Sequence, residues 1–308
     1  MNSVVLPAWA FVLVVGLVAL RAVAEEPAAC PKEAVRFQAH RGGLREVPEN
    51  TLAAYRYAWG LGGIPEVDIC TTSDGKIICL HDSTLARTTD APDRLRNTPV
   101  KELTFDETRK WDCGRWFDPR FEGERVPSLR EVFTEMHGHP ERQVYLDLKK
   151  IDLGQLAGLI TEYDVAEQVI FCHCVQQNCI TLRELTPKVR TMLWIGDKPD
   201  EIMRKFEAAF ATGFKGLDQV QLHLNAAAPA TDSEGFLGYA LDEPFIADAL
   251  ERTAAAGIDL EVLPFEFTET TIAGLLDLGV RWYATDEPKR FTACVNQWTT
   301  RADGPARP

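Results

Sequence analysis

Three acids and two histidines lie at or just beyond the ends of apolar runs of this chain. His40 follows "VRFQA", and His81 follows "KIICL". Glu66 and Asp68 are two residues apart in "PEVDICT", so on a strand their side chains point the same way. Asp147 lies late in "QVYLDLK". Because strands of a covered parallel sheet are apolar on both faces, acids pointing one way need compensation, and a hard cation is the simplest one.

These residue types together could form a cation site beside proton-transfer groups. Carboxylates from adjacent strands would make an oxygen-rich site for Ca²⁺ or Mg²⁺. Arg41 ends the first run beside His40, and Lys149 shares the direction of Asp147 on its strand. An imidazole changes protonation near pH ~6.5, which suits proton transfer. Each feature alone has a plainer interpretation, since a histidine at a strand end is usually a hydrogen-bonded polar residue and a Glu-x-Asp pair is usually a solvated edge. Only if these histidines, acids and basic residues meet at one place do they indicate an active site.

The elements that must position these side chains alternate along the chain. Apolar runs rich in β-formers are separated by helical patterns, which predicts parallel βα units. The runs cover 35–40, 65–71, 143–149, 168–173, 189–194, 216–222, 257–265 and 281–286. The helical patterns cover 51–60, 153–163, 176–185, 200–210, 243–256 and 269–278, and Asn50 is the expected cap of the first. Asp74-Gly75 predicts a hairpin turn.

Eight strands alternating with helices match an α/β fold of the (β/α)8 TIM-barrel type, in which active sites lie at the carboxyl ends of the strands. A doubly wound open sheet is the alternative, although no Gly-rich dinucleotide loop follows the first strand. We expect the barrel to occupy 25–300. The polar stretch 82–127 is an expected insertion after the second strand, over the catalytic mouth, and 301–308 an expected disordered tail.

The composition limits the classes of partner. The chain has 308 residues, of which 45% are hydrophobic, and a formal net charge of -13. This charge argues against nucleic acid or an anionic membrane surface as the main partner. A small phosphate ester remains compatible, because a cation and a few basic groups can sit in the site.

The first residues predict export. An apolar run from Val4 to Leu20 precedes Ala22-Val23-Ala24, which predicts a signal peptide over 1–24, cleaved after Ala24, and a periplasmic or secreted protein. The alternative is an uncleaved N-terminal anchor, and only then do we expect membrane contact.

The eight cysteines leave several possibilities. Cys30 and Cys294 lie near the two ends of the predicted domain and are a plausible disulfide in an exported chain. Cys172 and Cys174 flank His173 in "FCHC". That triplet could hold zinc, but a buried strand end or a disulfide partner is the plainer interpretation, since no matching CxxC occurs elsewhere.

Five segments together resemble a known family. They are "AHRGGLREVPENTLAAYRYAWGLG", "EVDICTTSDGKIICLHDSTLARTT", "GERVPSLREVF", "LDLKK" and "GVRWYATDEP". They are similar to the successive signatures of the glycerophosphodiester phosphodiesterase family over about 35–290. The resemblance implies a barrel with a small insertion, a divalent cation, Ca²⁺ or Mg²⁺, and a small-molecule glycerophosphodiester as substrate. The implied products are sn-glycerol 3-phosphate and an alcohol. In the family a neighbouring glycerol hydroxyl attacks first and releases the alcohol, and water then opens the resulting cyclic phosphate.

The resemblance also implies roles for individual residues. His40 and His81 match the general acid/base pair, without showing which is acid and which is base. The residues that match metal ligands are Glu66, Asp68 and Asp147, the last in place of the usual glutamate. Phosphate or substrate binding falls to Arg41 and Lys149. Glu49, in "PENT", matches an acid that holds Arg41 or the metal shell.

One segment departs from the family pattern. After the seventh strand the family commonly has a Trp-Thr-Val-Asn type motif, whereas this chain reads "VLPFEF". The residues expected to line the pocket are Trp194, Gln221, His223 and Phe265, while Phe267 is equally compatible with pocket or core. The substrate class therefore stays open. The alternatives are a lysophospholipase D-like enzyme or other phosphodiesterase, and a non-catalytic barrel that binds a phosphodiester or a protein partner.

Overall fold

Nine strands form one sheet in the computed structural model, which describes residues 35–227 and 236–302. The strands are β1 Arg36–Ala39, β2 Ile64–Thr71, β3 Ile77–Cys79, β4 Val144–Lys150, β5 Val169–His173, β6 Arg190–Ile195, β7 Gln219–Leu224, β8 Asp259–Pro264 and β9 Trp282–Thr285. All pair in parallel except β3, and β1 pairs with both β9 and β2, which closes the sheet. The closed barrel confirms the predicted (β/α)8 fold, and the open-sheet alternative is wrong.

Helices follow the strands around the outside. They are α1 Leu52–Gly60, α2 Asp93–Arg96, α3 Phe105–Arg109, α4 Leu129–Met136, α5 Leu153–Tyr163, α6 Gln176–Leu185, α7 Pro199–Ala211, α8 Glu243–Ala255, α9 Glu269–Leu278 and α10 Pro288–Ala302. Each of the six predicted helices is present. Within the described residues, no helix has the length and apolar character needed to cross a bilayer.

Alternation along each strand divides the interior into two parts. On β2, Val67 and Ile69 are fully buried in the layer between strands and helices, and they join the main apolar core. Glu66 and Asp68 alternate with them and therefore point into the barrel. The apolar layer between strands and helices supplies most of the buried hydrophobic area and holds the barrel rigid. The inward face is then available for polar groups.

The hairpin after β2 leads into the segment 82–127. Gly75 has φ +73 at the turn, and β3 runs antiparallel to β2, as Asp74-Gly75 predicted. The segment carries α2 and α3, and its Leu85 and Val100 share a small apolar core with Cys70 of β2 and Ile78 of β3. It contacts the barrel through the hairpin and through charged side chains near β1.

Several expectations fall on residues outside the described part. These are the signal segment 1–24, Cys30 and residues 303–308. Cys294 is buried in α10, so its proposed pairing with Cys30 stays a prediction.

Candidate active site

The three predicted acids meet inside the barrel mouth. In the register of β2 against β4, Asp68 lies opposite Asp147, and Glu66 lies opposite Tyr145. One carboxylate oxygen from each of Glu66, Asp68 and Asp147 lies within 4.8 Å of the other two. Their exposed fractions are 3%, 1% and 8%, so water stabilises these charges very little.

Two cations lie against this acidic cluster. Nζ of Lys149 is 2.9 Å from Oδ1 of Asp68 and also contacts Oδ2 of Asp147. Nε of Arg41 is 3.6 Å from Oδ2 of Asp68. Burial alone would lower the pKa of Lys149, but the charges of Asp68 and Asp147 outweigh burial and raise it, so Lys149 stays protonated.

The positive charges of Lys149 and Arg41 affect the pKa values of the three acids unequally. Burial, together with the charges of Asp68 and Asp147, raises the pKa of Glu66 well above its usual value. Burial would also raise the pKa of Asp68, but Lys149 and Arg41 outweigh it and lower that pKa. Burial raises the pKa of Asp147 despite Lys149. When all three carboxylates are ionised, they therefore carry more negative charge than Lys149 and Arg41 neutralise.

The donor set fits a hard divalent cation. Oδ1 of Asp68 is buried and, although Lys149 is near, no hydrogen bond of good geometry reaches it. Carboxylate oxygens from two neighbouring strands are the ligands that Ca²⁺ and Mg²⁺ prefer. Within the described residues, this is the one group of three or more potential metal-ligating side chains brought within reach of a single ion.

A sharp turn after β1 brings Arg41 to the acids. Arg41 has φ 52, and Gly42 follows with φ 85, so the chain reverses within the 3-10 turn His40–Gly42. The backbone N–H of Arg41 donates to Oε2 of Glu66 at 2.7 Å, and its Nη1 donates to Oε1 of Glu49 at 3.1 Å. Glu49 therefore holds Arg41, one of the two roles predicted for it.

Asn50 anchors the acid cluster instead of capping α1. Its Nδ2 donates to Oδ2 of Asp68 at 2.7 Å, and its Oδ1 accepts from the backbone N–H of Asp68 at 3.0 Å. The cap of α1 is Thr51, whose side chain accepts from the N–H of Ala54. The predicted cap was therefore wrong by one residue, because the asparagine side chain faces the acids.

Both predicted histidines line the same cavity, and each is held by a carboxylate. Nδ1 of His40 lies 2.7 Å from Oδ1 of Asp286, which follows β9. Nδ1 of His81 lies 2.9 Å from Oδ1 of Asp82. Because Nδ1 is engaged in each ring, Nε2 is the nitrogen left for proton transfer.

The opposite wall of the cavity is aromatic. Trp194 donates from Nε1 to Oδ1 of Asp147 at 3.2 Å and stacks on His223 with ring centroids 5.5 Å apart. Phe265 packs edge-on against His223. Burial lowers the pKa of His223 to about 4, so this ring is neutral at physiological pH. The two walls set charged groups against uncharged rings.

All four predicted pocket residues line this cavity, including Gln221. Phe267 does not: it is buried against Phe291 and belongs to the apolar core. None of the residues 82–127 lines the cavity. That segment borders the site through Asp82 and Arg87 instead.

The "FCHC" stretch takes the plainer interpretation. Cys172 is buried at the cavity wall, and Nδ1 of His173 accepts from the backbone N–H of Val175. Cys174 is exposed, and it forms no disulfide with the other described cysteines. No third ligand joins these residues among the side chains that the structure describes.

Sequence reasoning missed the side chains that orient the site. Asp286, Asn50 and Arg87 come from loops, where neither alternation nor helical spacing indicates a direction. Asp286 does follow a predicted strand at its carboxyl end, and Asp82 directly follows His81. Position at a strand end was therefore the available signal for those two.

Comparison with known proteins agrees with this geometry. Residues 40–290 match the Glycerophosphoryl diester phosphodiesterase family. A glycerophosphodiester phosphodiesterase of Caldanaerobacter subterraneus subsp. tengcongensis is 36% identical over 160 residues, which cover 49% of this chain and 63% of that protein. Glycerophosphodiester phosphodiesterase 1 of Rattus norvegicus is 42% identical over 171 residues, covering 53% and 50%. The chain thus spans less than two thirds of the length of either relative.

Solved structures share the fold. A glycerophosphodiester phosphodiesterase from Agrobacterium tumefaciens superposes with a TM-score of 0.64 at 24% identity, covering 84% of this chain and 99% of that one. An Oleispira antarctica phosphodiesterase, solved in complex with the product sn-glycerol-3-phosphate, gives 0.64 at 19% identity, covering 85% and 96%. The family match over residues 40–290 includes both histidines, the three clustered acids, Arg41 and Lys149. The chain belongs to the glycerophosphoryl diester phosphodiesterase family.

Proposed function

We propose that this protein is a metal-dependent glycerophosphodiester phosphodiesterase that releases sn-glycerol 3-phosphate and an alcohol. One observation carries the proposal: His40, His81, Arg41, Lys149 and the acids Glu66 and Asp147 line a single cavity. The relatives named above support the activity, and the Oleispira antarctica complex supports the product.

The charged wall suits a phosphodiester. Glu66, Asp68 and Asp147 would hold Ca²⁺ or Mg²⁺, which when bound would offset the charge that develops on the phosphate oxygens. Arg41 and Lys149 would orient those oxygens. Arg41 and Lys149 are both held in place by carboxylates of the site, so they are preorganised before substrate arrives.

The two histidines would move the protons. One imidazole Nε2 would accept the proton of the attacking glycerol hydroxyl, and the other would donate a proton to the oxygen of the leaving alcohol, which leaves a cyclic phosphate. Water would then open that ring to give sn-glycerol 3-phosphate, with the two proton transfers reversed. Asp286 and Asp82 fix the two rings at Nδ1 and would stabilise whichever becomes cationic. Such proton transfer contributes about 10²–10⁴-fold to a rate.

The cavity lining favours a small deacylated substrate over a lysophospholipid. An acyl chain would need an apolar groove that continues from Phe265 towards the segment 82–127. No residue of that segment lines the cavity.

A substrate panel tests these alternatives. We expect sn-glycerol 3-phosphate to appear from glycerophosphocholine with Ca²⁺ or Mg²⁺ and to disappear with EDTA, while lysophosphatidylcholine stays intact. Separate additions of the two cations decide between them. Faster turnover of lysophosphatidylcholine would favour the lysophospholipase D-like alternative, and binding without turnover across several cations would favour a non-catalytic barrel.

We also propose that residues 1–24 direct export, because an apolar run there precedes the small residues Ala22 and Ala24. Expressed with its full N-terminus, the mature protein would begin at Glu25 and lie outside the cytoplasm. Mass spectrometry of its N-terminal peptide measures this directly. A mature chain that retains Val4–Leu20 in a membrane fraction would support the anchor instead.

A further inference from the structure

Arg87 lies in the segment 82–127 and makes paired hydrogen bonds with two carboxylates. Nε donates to Oδ2 of Asp82 at 2.8 Å and Nη2 to Oδ1 at 2.9 Å. Nη1 donates to Oε2 of Glu49 at 2.5 Å and Nη2 to Oε1 at 2.7 Å. One planar guanidinium thus grips an acid of the insertion and an acid of the loop after β1.

Each of these carboxylates in turn holds a group of the site. Oδ1 of Asp82, which accepts from Arg87, is also the oxygen that contacts Nδ1 of His81. Oε1 of Glu49, which accepts from the same Nη2, also accepts from Nη1 of Arg41. Nη2 of Arg87 therefore joins the carboxylate that holds His81 to the carboxylate that holds Arg41.

The surroundings make this link hard to replace. The Glu49 side chain is only 4% exposed and both of its oxygens accept from Arg87, so losing the guanidinium removes a donor from each of two buried oxygens. Without the guanidinium, Glu49 and Asp82 would face each other as like charges. The backbone before His81 is anchored separately, since the N–H of Leu80 donates to the carbonyl of Asp68, so Arg87 acts on the side chains of Asp82 and Glu49.

We propose that Arg87 is a positioning residue that sets His81 relative to Arg41. This inference rests on the proposed function, in which His81 transfers a proton and Arg41 binds the phosphate. It gives the insertion a role in the reaction although none of its residues lines the cavity. Arg87 itself acts through Asp82 and Glu49 and is not assigned a contact with substrate.

Steady-state kinetics with glycerophosphocholine test the proposal. We expect Arg87→Ala to lower kcat by about 100-fold, because a displacement near 1 Å at a reacting group has that effect, and to change KM less. Millimolar guanidinium should restore at least about a tenth of the lost activity by refilling the gap between the two carboxylates. Arg87→Lys, which keeps the charge without the planar fork, should stay at least about tenfold below wild type.

Matched controls separate the possible outcomes. Arg115→Ala removes another arginine of the same segment, which is exposed and paired with Glu122. Its kcat should equal that of wild type both with and without guanidinium. The Nδ1–H proton signal of His81 in NMR should shift or vanish in Arg87→Ala but not in Arg115→Ala, whether or not the enzyme turns over. Circular dichroism checks folding, and Arg87→Lys carries the test if Arg87→Ala does not fold.

Two results would overturn the inference. One is an Arg87→Ala kcat within about threefold of wild type. The other is a low kcat in a folded variant that guanidinium does not restore, with the His81 signal unchanged. An inactive wild-type protein would instead refute the proposed function, and the NMR comparison would still decide the role of Arg87.

Discussion

At the scale of residues, the site combines side chains whose direction the sequence reveals with side chains whose direction it hides. Glu66 and Asp68 share a face because strand side chains alternate with period two, and this was predictable. Asn50 and Asp286 reach the site from loops, where no such rule applies. The acids and histidines could therefore be proposed from the sequence, while the groups that orient them could not.

Asp286 gives a direct test of orientation. We expect Asp286→Asn to lower kcat by at least about tenfold, because the ring of His40 loses the carboxylate 2.7 Å from its Nδ1. Binding of the cation, measured by titration calorimetry, should stay within about threefold of wild type, since Asp286 is not among the three clustered acids.

The exposed Asp106 of α3 provides the control, and Asp106→Asn should leave kcat unchanged. If Asp286→Asn retains full kcat, the pair with His40 has no part in the reaction. If it loses the cation instead, the carboxylate acts through the metal site.

At the scale of elements, apolar runs located every barrel strand. The eight predicted runs correspond to β1, β2 and β4–β9, because strands buried on both faces are recognisable as continuous apolar stretches. Four helices were not predicted: the short α2 and α3 within the segment 82–127, α4 (Leu129–Met136) and α10 (Pro288–Ala302). α4 is only two turns long, and α10 is rich in threonine and charged residues, so neither gave a strong helical signal. Packing against the rest of the fold therefore stabilises α4 and α10.

The turn after β1 makes a prediction about glycine. A Cβ on Gly42 would lie 2.6 Å from Cβ of Ala54, and φ there is +85. Gly62 has a similar φ of +77, but a Cβ placed on it would meet nothing within 4 Å. We expect Gly62→Ala to reduce the free energy of unfolding by about 1 kcal/mol. Gly42→Ala should cost about 2 kcal/mol more, because overpacking adds to the backbone strain.

Urea unfolding of both variants measures the difference. Gly42→Ala should also weaken catalysis, since Arg41 is the preceding residue and its N–H holds Glu66. Equal losses in the two variants would mean that backbone conformation alone, and not the contact with Ala54, requires glycine at this turn.

At the scale of the whole molecule, the barrel interior holds a buried polar network beside an apolar cluster that includes Ile64, Ile170 and Met192. Glu261 is fully buried and accepts hydrogen bonds from Tyr145 and Gln219, each at 3.0 Å, and from Gln221. Gln221 in turn donates to Gln38. Burial raises the pKa of Glu261 from 4.5 to about 7 despite these donors. This network joins β1, β4, β7 and β8 across the barrel and supports the floor of the cavity.

The raised pKa of Glu261 predicts how stability depends on pH. Between pH 4.5 and about 7 the folded protein keeps a proton on Glu261 that the unfolded chain releases. The free energy of unfolding therefore falls as pH rises through this window, by about 3 kcal/mol from this residue. Below pH 4.5 both states are protonated, so the contribution of Glu261 becomes constant.

Glu261→Gln isolates this effect. Glu66 has a raised pKa and contributes a slope of the same sign, so the comparison must be the difference between variant and wild type. Urea unfolding at pH 5 and pH 8 should show a smaller loss of stability in Glu261→Gln than in wild type. Identical losses would mean that Glu261 is charged in the folded protein throughout this range.

The proposed reaction requires two imidazoles that act together at one acid cluster. Release of sn-glycerol 3-phosphate from glycerophosphocholine should be measured for wild type, for the double variant His40→Ala/His81→Ala, and for His137→Ala, in which the lost histidine is exposed and remote from the cavity. We predict full activity for wild type and His137→Ala, and a loss of at least about 10⁴-fold for the double variant. Wild-type activity in the double variant, or no turnover by the wild type with either cation, would contradict the account.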